Sequence, residues 1–286
     1  MERGELLNLF LDKGCRKIMV IGGSDTGKTT LVLSLATELS RRGLKVGVID
    51  CDLGQSTIGP PGVLGLQLPW NSPGEKELLF PTRMIFMGSI TPSQDVGMVV
   101  QGSLKLEREA QNLGYDVLLI DTSGMIEGPL AALLKRSKIR QLLPDAILVL
   151  ERSAETEHIF RSLESEYCRN TLRLLPPERV RRRTRQERAF YRLGKWRSFF
   201  EQSELYFLEL SSVKLKALSR DLDPENPQLV DGHLLGLNDE RGFTLSLGSF
   251  VGREDTLLYF KSPLRGDIRE VREIAFGNLY FADSTE

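Results

Sequence analysis

Residues 22–29 read Gly22-Gly23-Ser24-Asp25-Thr26-Gly27-Lys28-Thr29 and satisfy the pattern G-x-x-x-x-G-K-[ST]. They follow an apolar run, Lys17-Ile18-Met19-Val20-Ile21. They open residues 28–42, where Leu31, Leu35 and Leu39 recur every four positions and Gly43 is expected as the C-terminal cap. Strand, glycine-rich turn and helix in that order form a phosphate cradle. Glycines let backbone N–H groups turn inward, and the helix N-terminus adds partial positive charge. Lys28 is expected to reach the β- and γ-phosphates and Thr29 to hold Mg²⁺. Gly22, Gly23, Ser24, Asp25, Thr26, Gly27 and Thr30 complete the expected nucleotide site.

Outward from this unit the alternation of strand and helix continues. Residues 46–49, 84–87, 117–120, 146–150 and 206–208 read as strands, with helical stretches between most of them. That pattern predicts an α/β fold, a P-loop NTPase with a mainly parallel sheet covered on both faces. Residues 234–238, 243–251 and 257–261 read instead as short strands. The first two are joined by the turn signal Asp239-Glu240-Arg241-Gly242. The expected organisation is a short N-terminal segment (1–15), a P-loop domain (16–212) with a helical lid insertion at 176–200, a linker (213–229) and a small β-rich C-terminal domain (230–286). Asp223-Pro224 and Asn226-Pro227 favour turns in the linker.

The chain has 286 residues, 41% hydrophobic and 27% charged, which excludes a disordered, collagen-like or coiled-coil protein. Net charge is −1, so there is no overall basic signature for nucleic acid. Residues 171–200, however, hold ten Arg/Lys against two Glu. Cys15, Cys51 and Cys168 are odd in number and widely spaced, which argues against a disulfide framework or zinc site and favours a reduced, cytoplasmic setting. Met1 to Glu5 show no apolar core, and the longest apolar runs are too short for a bilayer, so neither a signal peptide nor a membrane partner is expected.

Three further patterns carry chemistry. Asp50-Cys51-Asp52-Leu53-Gly54-Gln55 follows the second strand, at the carboxyl sheet edge where open α/β sheets bind ligands. One carboxylate there can serve a metal while the other accepts a proton from an incoming hydroxyl. Val117-Leu118-Leu119-Ile120-Asp121 is an apolar strand ending in a carboxylate, the Walker B pattern that supports Mg²⁺. The basic run contains Arg179, Arg181, Arg182, Arg183, Arg185, Arg188, Arg192 and Arg197. It reads either as a solvated or generally nucleic-acid-attracting face, or as a lid that closes over phosphates. Arg188 and Arg192, four apart, share a helical face. The absence of an [NT]-K-x-D sequence disfavours GTP. No extra lysine precedes the glycines, as it does in ParA-like dimeric ATPases. ATP is therefore the expected nucleotide, with any catalytic arginine in the same chain.

Taken with Pro61-Gly62, the loop at 22–29 and Asp50-Cys51-Asp52-Leu53-Gly54-Gln55 resemble the polynucleotide 5′-hydroxyl kinase family. That family includes the kinase subunit of the pre-mRNA cleavage complex and ribosomal-RNA-processing relatives. Thr122-Ser123-Gly124-Met125 occupies the place of its T-x-G-W clasp, with Met125 replacing the tryptophan. Arg183-Thr184, Arg188-x-x-x-Arg192 and Phe199-Phe200 resemble its lid. The resemblance, over residues 17–210, implies an ATP- and Mg²⁺-dependent kinase, a monomeric catalytic unit, acting on RNA or DNA with a 5′-hydroxyl end. It implies Lys28, Asp52, Arg183, Arg188 and Arg192 as catalytic, with Asp52 orienting the hydroxyl and taking its proton. Gln55, Pro61, Gly62, Thr122, Gly124 and Met125 would hold substrate, and Thr29, Asp50 and Asp121 the metal. Trp196 is a conceivable substitute for the clasp tryptophan, against a packing role. Eukaryotic members hold adenine partly with an N-terminal domain; with residues 1–15 expected as a short segment, adenine recognition has no residues assigned. The rival expectations are a P-loop ATPase switch or RNA-processing scaffold without phosphoryl transfer to nucleic acid, and a small-molecule kinase.

Overall fold

The computed structural model describes residues 8, 10–71, 79–168, 170–177, 181–224 and 227–281. Residues 1–5, Glu178, Arg179, Asn226 and the side chain of Cys168, all used above, lie outside what is described.

Seven strands form the first sheet: β1 (Lys17–Gly22), β2 (Val46–Cys51), β3 (Val63–Gln67), β4 (Arg83–Phe86), β5 (Val117–Thr122), β6 (Ala146–Leu150) and β7 (Thr171–Leu174). Their order is β4-β3-β2-β5-β1-β6-β7, parallel from β2 to β7, with β3 and β4 added antiparallel at one edge. The central strands are buried on both faces, as their unbroken apolar sequences require. Alternate residues of β1 point opposite ways. Ile18 and Val20 join the cluster containing Val32, Leu35 and Leu39 of α1 (Lys28–Arg41). Met19 and Ile21 join the cluster containing Leu106 of α2 (Val96–Leu113) and Leu134 of α3 (Gly128–Leu142).

The second sheet is built from β8 (Glu204–Glu209), β9 (Lys214–Ala217), β10 (His233–Asn238), β11 (Thr244–Glu254), β12 (Leu257–Ser262) and β13 (Glu273–Tyr280), in the order β8-β12-β11-β10-β13-β9. Two sequence expectations are corrected here. Residues 206–208 are a strand, but they pair with β12 and not with the parallel sheet. The segment expected as a linker holds β9, which pairs parallel with β13. The change of sheet therefore falls just after residue 200. Alternating side chains identify a strand and its faces, but not the strand it will bond to.

After a short helix, α4 (Glu157–Phe160), the lid region forms α5 (Arg185–Phe200). Its start is set by a capping box, in which the Thr184 hydroxyl accepts from the Glu187 N–H and the Glu187 carboxylate accepts from the Thr184 N–H. Its C-terminal end is anchored. Trp196, Phe199 and Phe200 are buried with Val63, Met84 and Phe86 of the first sheet and Leu234, Leu247 and Leu279 of the second. The aromatic pair 199–200 thus welds the helix to both sheets. No helix among the described residues is long and apolar enough to cross a membrane.

Candidate active site

β1 lies between β5 and β6, and the chain leaves it toward β2 on one side and reaches β6 on the other, so a crevice opens at the carboxyl ends of these strands. The loop at 22–29 sits there. Gly27, at φ 88°, takes the left-handed conformation that turns the backbone into α1, and a side chain there would be strained. Lys28 is buried and donates from Nζ to the Gly23 carbonyl at 2.5 Å. Burial lowers its pKa, opposed by the charges of Asp121, Asp52 and Asp25. The first residue of α1 therefore holds a cation over the loop beside three carboxylates.

Thr29 donates its hydroxyl to Asp121 Oδ2 at 2.6 Å, and the other oxygen of Asp121 is buried with no hydrogen-bond partner among the described residues. Burial raises the Asp121 pKa, against the pull of Lys28 and Thr29. Asp50, opposite Asp121 in the β2–β5 register, is also pushed up, first by burial and then by the Asp121 charge. Its carboxylate is spent on the following loop. Oδ1 accepts from the Asp52 N–H at 2.9 Å, and Oδ2 from the N–H groups of Thr57 at 2.6 Å and Ile58 at 3.1 Å. The expectation of Asp50 at the metal thus meets a carboxylate occupied in shaping residues 52–58. Asp52 Oδ1 accepts from the N–H groups of Gly54 and Gln55, which fixes the orientation of its carboxylate at the cleft.

The α5 region closes the cleft from above. Arg188 Nη2 donates to Asp25 Oδ2 at 2.6 Å, Arg183 Nη1 to Gln55 Oε1 at 3.3 Å, and the Tyr191 hydroxyl to the Ser56 carbonyl at 3.2 Å. Arg183 also lies over the Tyr191 ring, 5.3 Å from its centre. The cleft enclosed is about 520 Å³. Lys28, Thr29, Thr30, Asp52, Gln55, Gly124, Met125, Arg183, Arg188 and Arg192 all line it. Five cations, counting Arg181, face two carboxylates, Asp25 and Asp52, so the cleft suits an anionic ligand.

Several expected residues fall elsewhere. Thr122 is buried and gives its hydroxyl to the Val20 carbonyl at 2.7 Å, inside the sheet. Pro61 and Gly62 do not line the cleft. The Pro61 carbonyl accepts from Trp196 Nε1, and the Gly62 N–H donates to the Leu53 carbonyl. Trp196 itself is core and leaves the clasp position to Met125. Thr91, Ser123, Arg181 and Tyr191 line the cleft without having been assigned a site role from the sequence. For Tyr191 a signal existed, since it follows Arg188 by three residues on one helical face.

A phosphate-binding loop at the carboxyl edge of a mainly parallel sheet, with a carboxylate-tipped neighbouring strand, defines a P-loop nucleotide-binding protein. Within that class, the family model described as the mRNA cleavage and polyadenylation factor CLP1 P-loop matches residues 22–202, and the chain belongs to this family. A polyribonucleotide 5′-hydroxyl-kinase of Pyrococcus horikoshii is 41% identical over 202 residues, 71% of this chain and 54% of the relative. One from Pyrococcus furiosus is 40% identical over 75% of this chain and 60% of its own length. One from Pyrococcus abyssi is 32% identical over 94% of this chain and 89% of its own. The chain thus spans little more than half the length of the first two. A chain of the solved wild-type Clp1p–Pcf11p complex superposes with a TM-score of 0.74 over 97% of this chain and 78% of that one, at 13% identity, a likeness of fold.

Proposed function

We propose that this protein transfers the γ-phosphate of ATP to the 5′-hydroxyl end of RNA or DNA, with Mg²⁺ as cofactor. The observation that carries this is the convergence on one cleft of a phosphate loop, the carboxylate of Asp52 and the arginines of α5. The relatives' names support a polynucleotide as the acceptor.

The N–H groups at the start of α1 and Lys28 hold the β- and γ-phosphates. Thr29 and Asp121 fit a metal, because Asp121 keeps one buried oxygen with no hydrogen-bond partner among the described residues and Thr29 stands against the other. Mg²⁺ is commonly bound by one or two protein oxygens together with phosphates, and when bound it supplies charge neutralisation at the β- and γ-phosphates. Among the described residues no cluster of three His, Cys, Asp or Glu side chains offers a complete cage, which fits this shared ligation. Asp50 acts one step back by shaping the loop that presents Asp52.

Asp52 orients the substrate's terminal O5′ and accepts its proton as the oxygen attacks the γ-phosphorus in line. The bond to the β–γ bridging oxygen breaks, and ADP leaves. Arg188 and Arg192 carry charge on the transferring group. Gln55, with Arg183, holds the terminal nucleotide, and Gly124 and Met125 flank it. All these groups come from one chain, which supports a monomeric catalytic unit. Cys15 and Cys51 are buried free thiols, in keeping with a reducing, cytoplasmic setting.

The test is γ-labelled ATP with matched 5′-hydroxyl RNA and DNA oligonucleotides, single- and double-stranded. Label should appear on oligonucleotide and vanish in Lys28→Ala. Phosphate released to water with every oligonucleotide unlabelled would replace this proposal by an ATPase switch.

A further inference from the structure

α3 carries two lysines one turn apart, Lys135 and Lys138, and both are buried to 1% exposure or less. A buried ammonium is costly, and burying two on one helix face requires a reason. The two differ in what they touch. Lys138 Nζ has no hydrogen-bond partner among the described residues. Lys135 Nζ donates to the Ser123 carbonyl at 2.5 Å and approaches the Ser123 hydroxyl at 3.4 Å.

Ser123 begins the segment that leaves Asp121 and Thr122 and enters the cleft, where Ser123, Gly124 and Met125 all form its wall. That segment is pressed against the phosphate loop. A Cβ at Gly124 would stand 2.7 Å from Ser24 Cα and 2.8 Å from Ser24 N. Strand pairing ends at Asp121 on the β1 side and at Thr122 on the β2 side, so Ser123 is held by contacts outside the sheet. Lys135 supplies one from beneath, on the core side. Burial pushes its pKa well below the usual lysine range, and the charges of Lys138 and Lys28 push the same way, opposed by Asp52.

Resting on the phosphoryl transfer proposed above, we propose that Lys135 is a positioning residue for the reaction: through the Ser123 carbonyl it fixes the Ser123–Gly124–Met125 wall against Ser24, and so fixes where the acceptor's terminal nucleotide sits relative to the γ-phosphate. Lys138, equally buried and on the same helix, has no such contact and plays no part in the reaction.

The experiment compares Lys135→Met with Lys138→Met in the full chain. Both remove a buried amine and keep the length of the side chain, so effects of burial on folding are shared and are read from thermal melts. Lys135→Met should lower kcat by about ten- to hundredfold, the scale expected when reacting groups are misplaced by about 1 Å. The ATP dissociation constant should stay within about twofold, since Lys28 and the loop N–H groups are untouched. Lys138→Met should leave kcat at the wild-type value. Combining Lys135→Met with Gly124→Ala should cost less than the sum of the two, because both act on one segment. Hydrogen exchange of the peptide around residues 122–126 should rise in Lys135→Met alone. Equal losses in the two lysine variants, or a Lys135→Met enzyme with lowered melting temperature but normal kcat and exchange, would overturn the proposal. Were the wild type to label no oligonucleotide, phosphoryl transfer would fall. The exchange comparison would then decide whether Lys135 holds the segment.

Discussion

The Arg188 guanidinium lies 2.6 Å from Asp25 Oδ2, and the backbone N–H of Arg183 donates to the same oxygen at 3.1 Å. One carboxylate of the phosphate loop therefore ties down the start of α5 and engages the arginine proposed to act on the transferring phosphate. Asp25 holds positive φ, 55°, a conformation Asp tolerates better than most residues. A carboxylate here pre-positions Arg188, but it also competes with phosphate for it. Asp25→Asn keeps an acceptor and removes the charge. ATP should then bind more tightly, by up to about fivefold, the scale of a partly exposed ion pair. Isothermal titration decides it: weaker ATP binding in the variant would make Asp25 a part of the nucleotide site and not a competitor.

Asp52 differs from its neighbour Asp50 in that its carboxylate faces the cleft while Asp50 is spent on backbone N–H groups. Asp52→Asn should lower kcat by about a hundredfold or more, the range for loss of a general base, with ATP affinity little changed. Asp50→Asn should instead lower stability by about 1–3 kcal/mol, since an amide nitrogen cannot accept from the N–H groups left behind. Near-normal turnover in Asp52→Asn would return the proton-accepting role to Asp50.

The arginines separate in the same way. Arg188 and Arg192 line the cleft, and Arg192 is partly desolvated, which with the nearby Arg188 charge lowers its pKa. Alanine at either should depress kcat at saturating oligonucleotide, by roughly a thousandfold if it acts as an arginine finger does. Arg185 does not line the cleft and should affect only salt-sensitive substrate binding. If Arg188→Ala and Arg192→Ala raise KM alone, and lower salt restores the rate, α5 is an electrostatic tether.

What could be seen in the chain and what could not follows from the range of each interaction. The phosphate loop, Asp121 and the Arg188–Arg192 pair are local patterns whose chemistry depends on a few adjacent residues; Ser24 to Thr30, Arg188 and Arg192 line the cleft, and Asp121 lies buried behind Thr29. Thr122, Pro61 and Gly62 are placed at the substrate only by the family resemblance. Strand alternation turns Thr122 into the sheet, and the Trp196 indole caps the Pro61 carbonyl from α5. Tyr191 reaches Ser56 across 135 positions of sequence, a meeting set by how α5 docks. β3 was missed for a related reason. A Cβ at its central Gly65 would stand 2.3 Å from the Ile58 carbonyl, so the glycine permits a close approach of the 52–58 loop that depends on tertiary packing.

The buried carboxylates give a pH dependence. Both folded-state values are raised, Asp50 to about 7 and Asp121 to about 6, above an unfolded carboxylate near 3.8. A raised folded value means that the stability contributed by the pair is fully present below the unfolded range and is lost as pH rises through the folded values. The two titrate together, so the loss belongs to the pair. In urea denaturation of nucleotide-free protein, wild type should lose stability relative to Asp121→Asn between about pH 4 and 7. A wild type that gains on the variant over that range would mean Lys28 and Thr29 hold Asp121 as the anion in spite of burial.

Trp196 offers the sharpest separation of packing from recognition. It takes no part in the cleft wall. Its ring lies 6.2 Å from that of Phe281, its indole nitrogen donates to the Pro61 carbonyl at 3.1 Å, and its neighbours come from both sheets. Truncation should leave a cavity where α5 meets the sheets, and Trp196→Ala should cost about 3–5 kcal/mol of stability. Trp196→Phe keeps much of the ring and loses the hydrogen bond, so it should cost less and remain folded for kinetics. Because the ring is buried in the core and does not line the cleft, Trp196→Phe should phosphorylate oligonucleotides differing in their 5′ base with the wild-type order of preference. A changed order of preference at unchanged melting temperature would place the indole in contact with substrate and give the clasp its missing aromatic group.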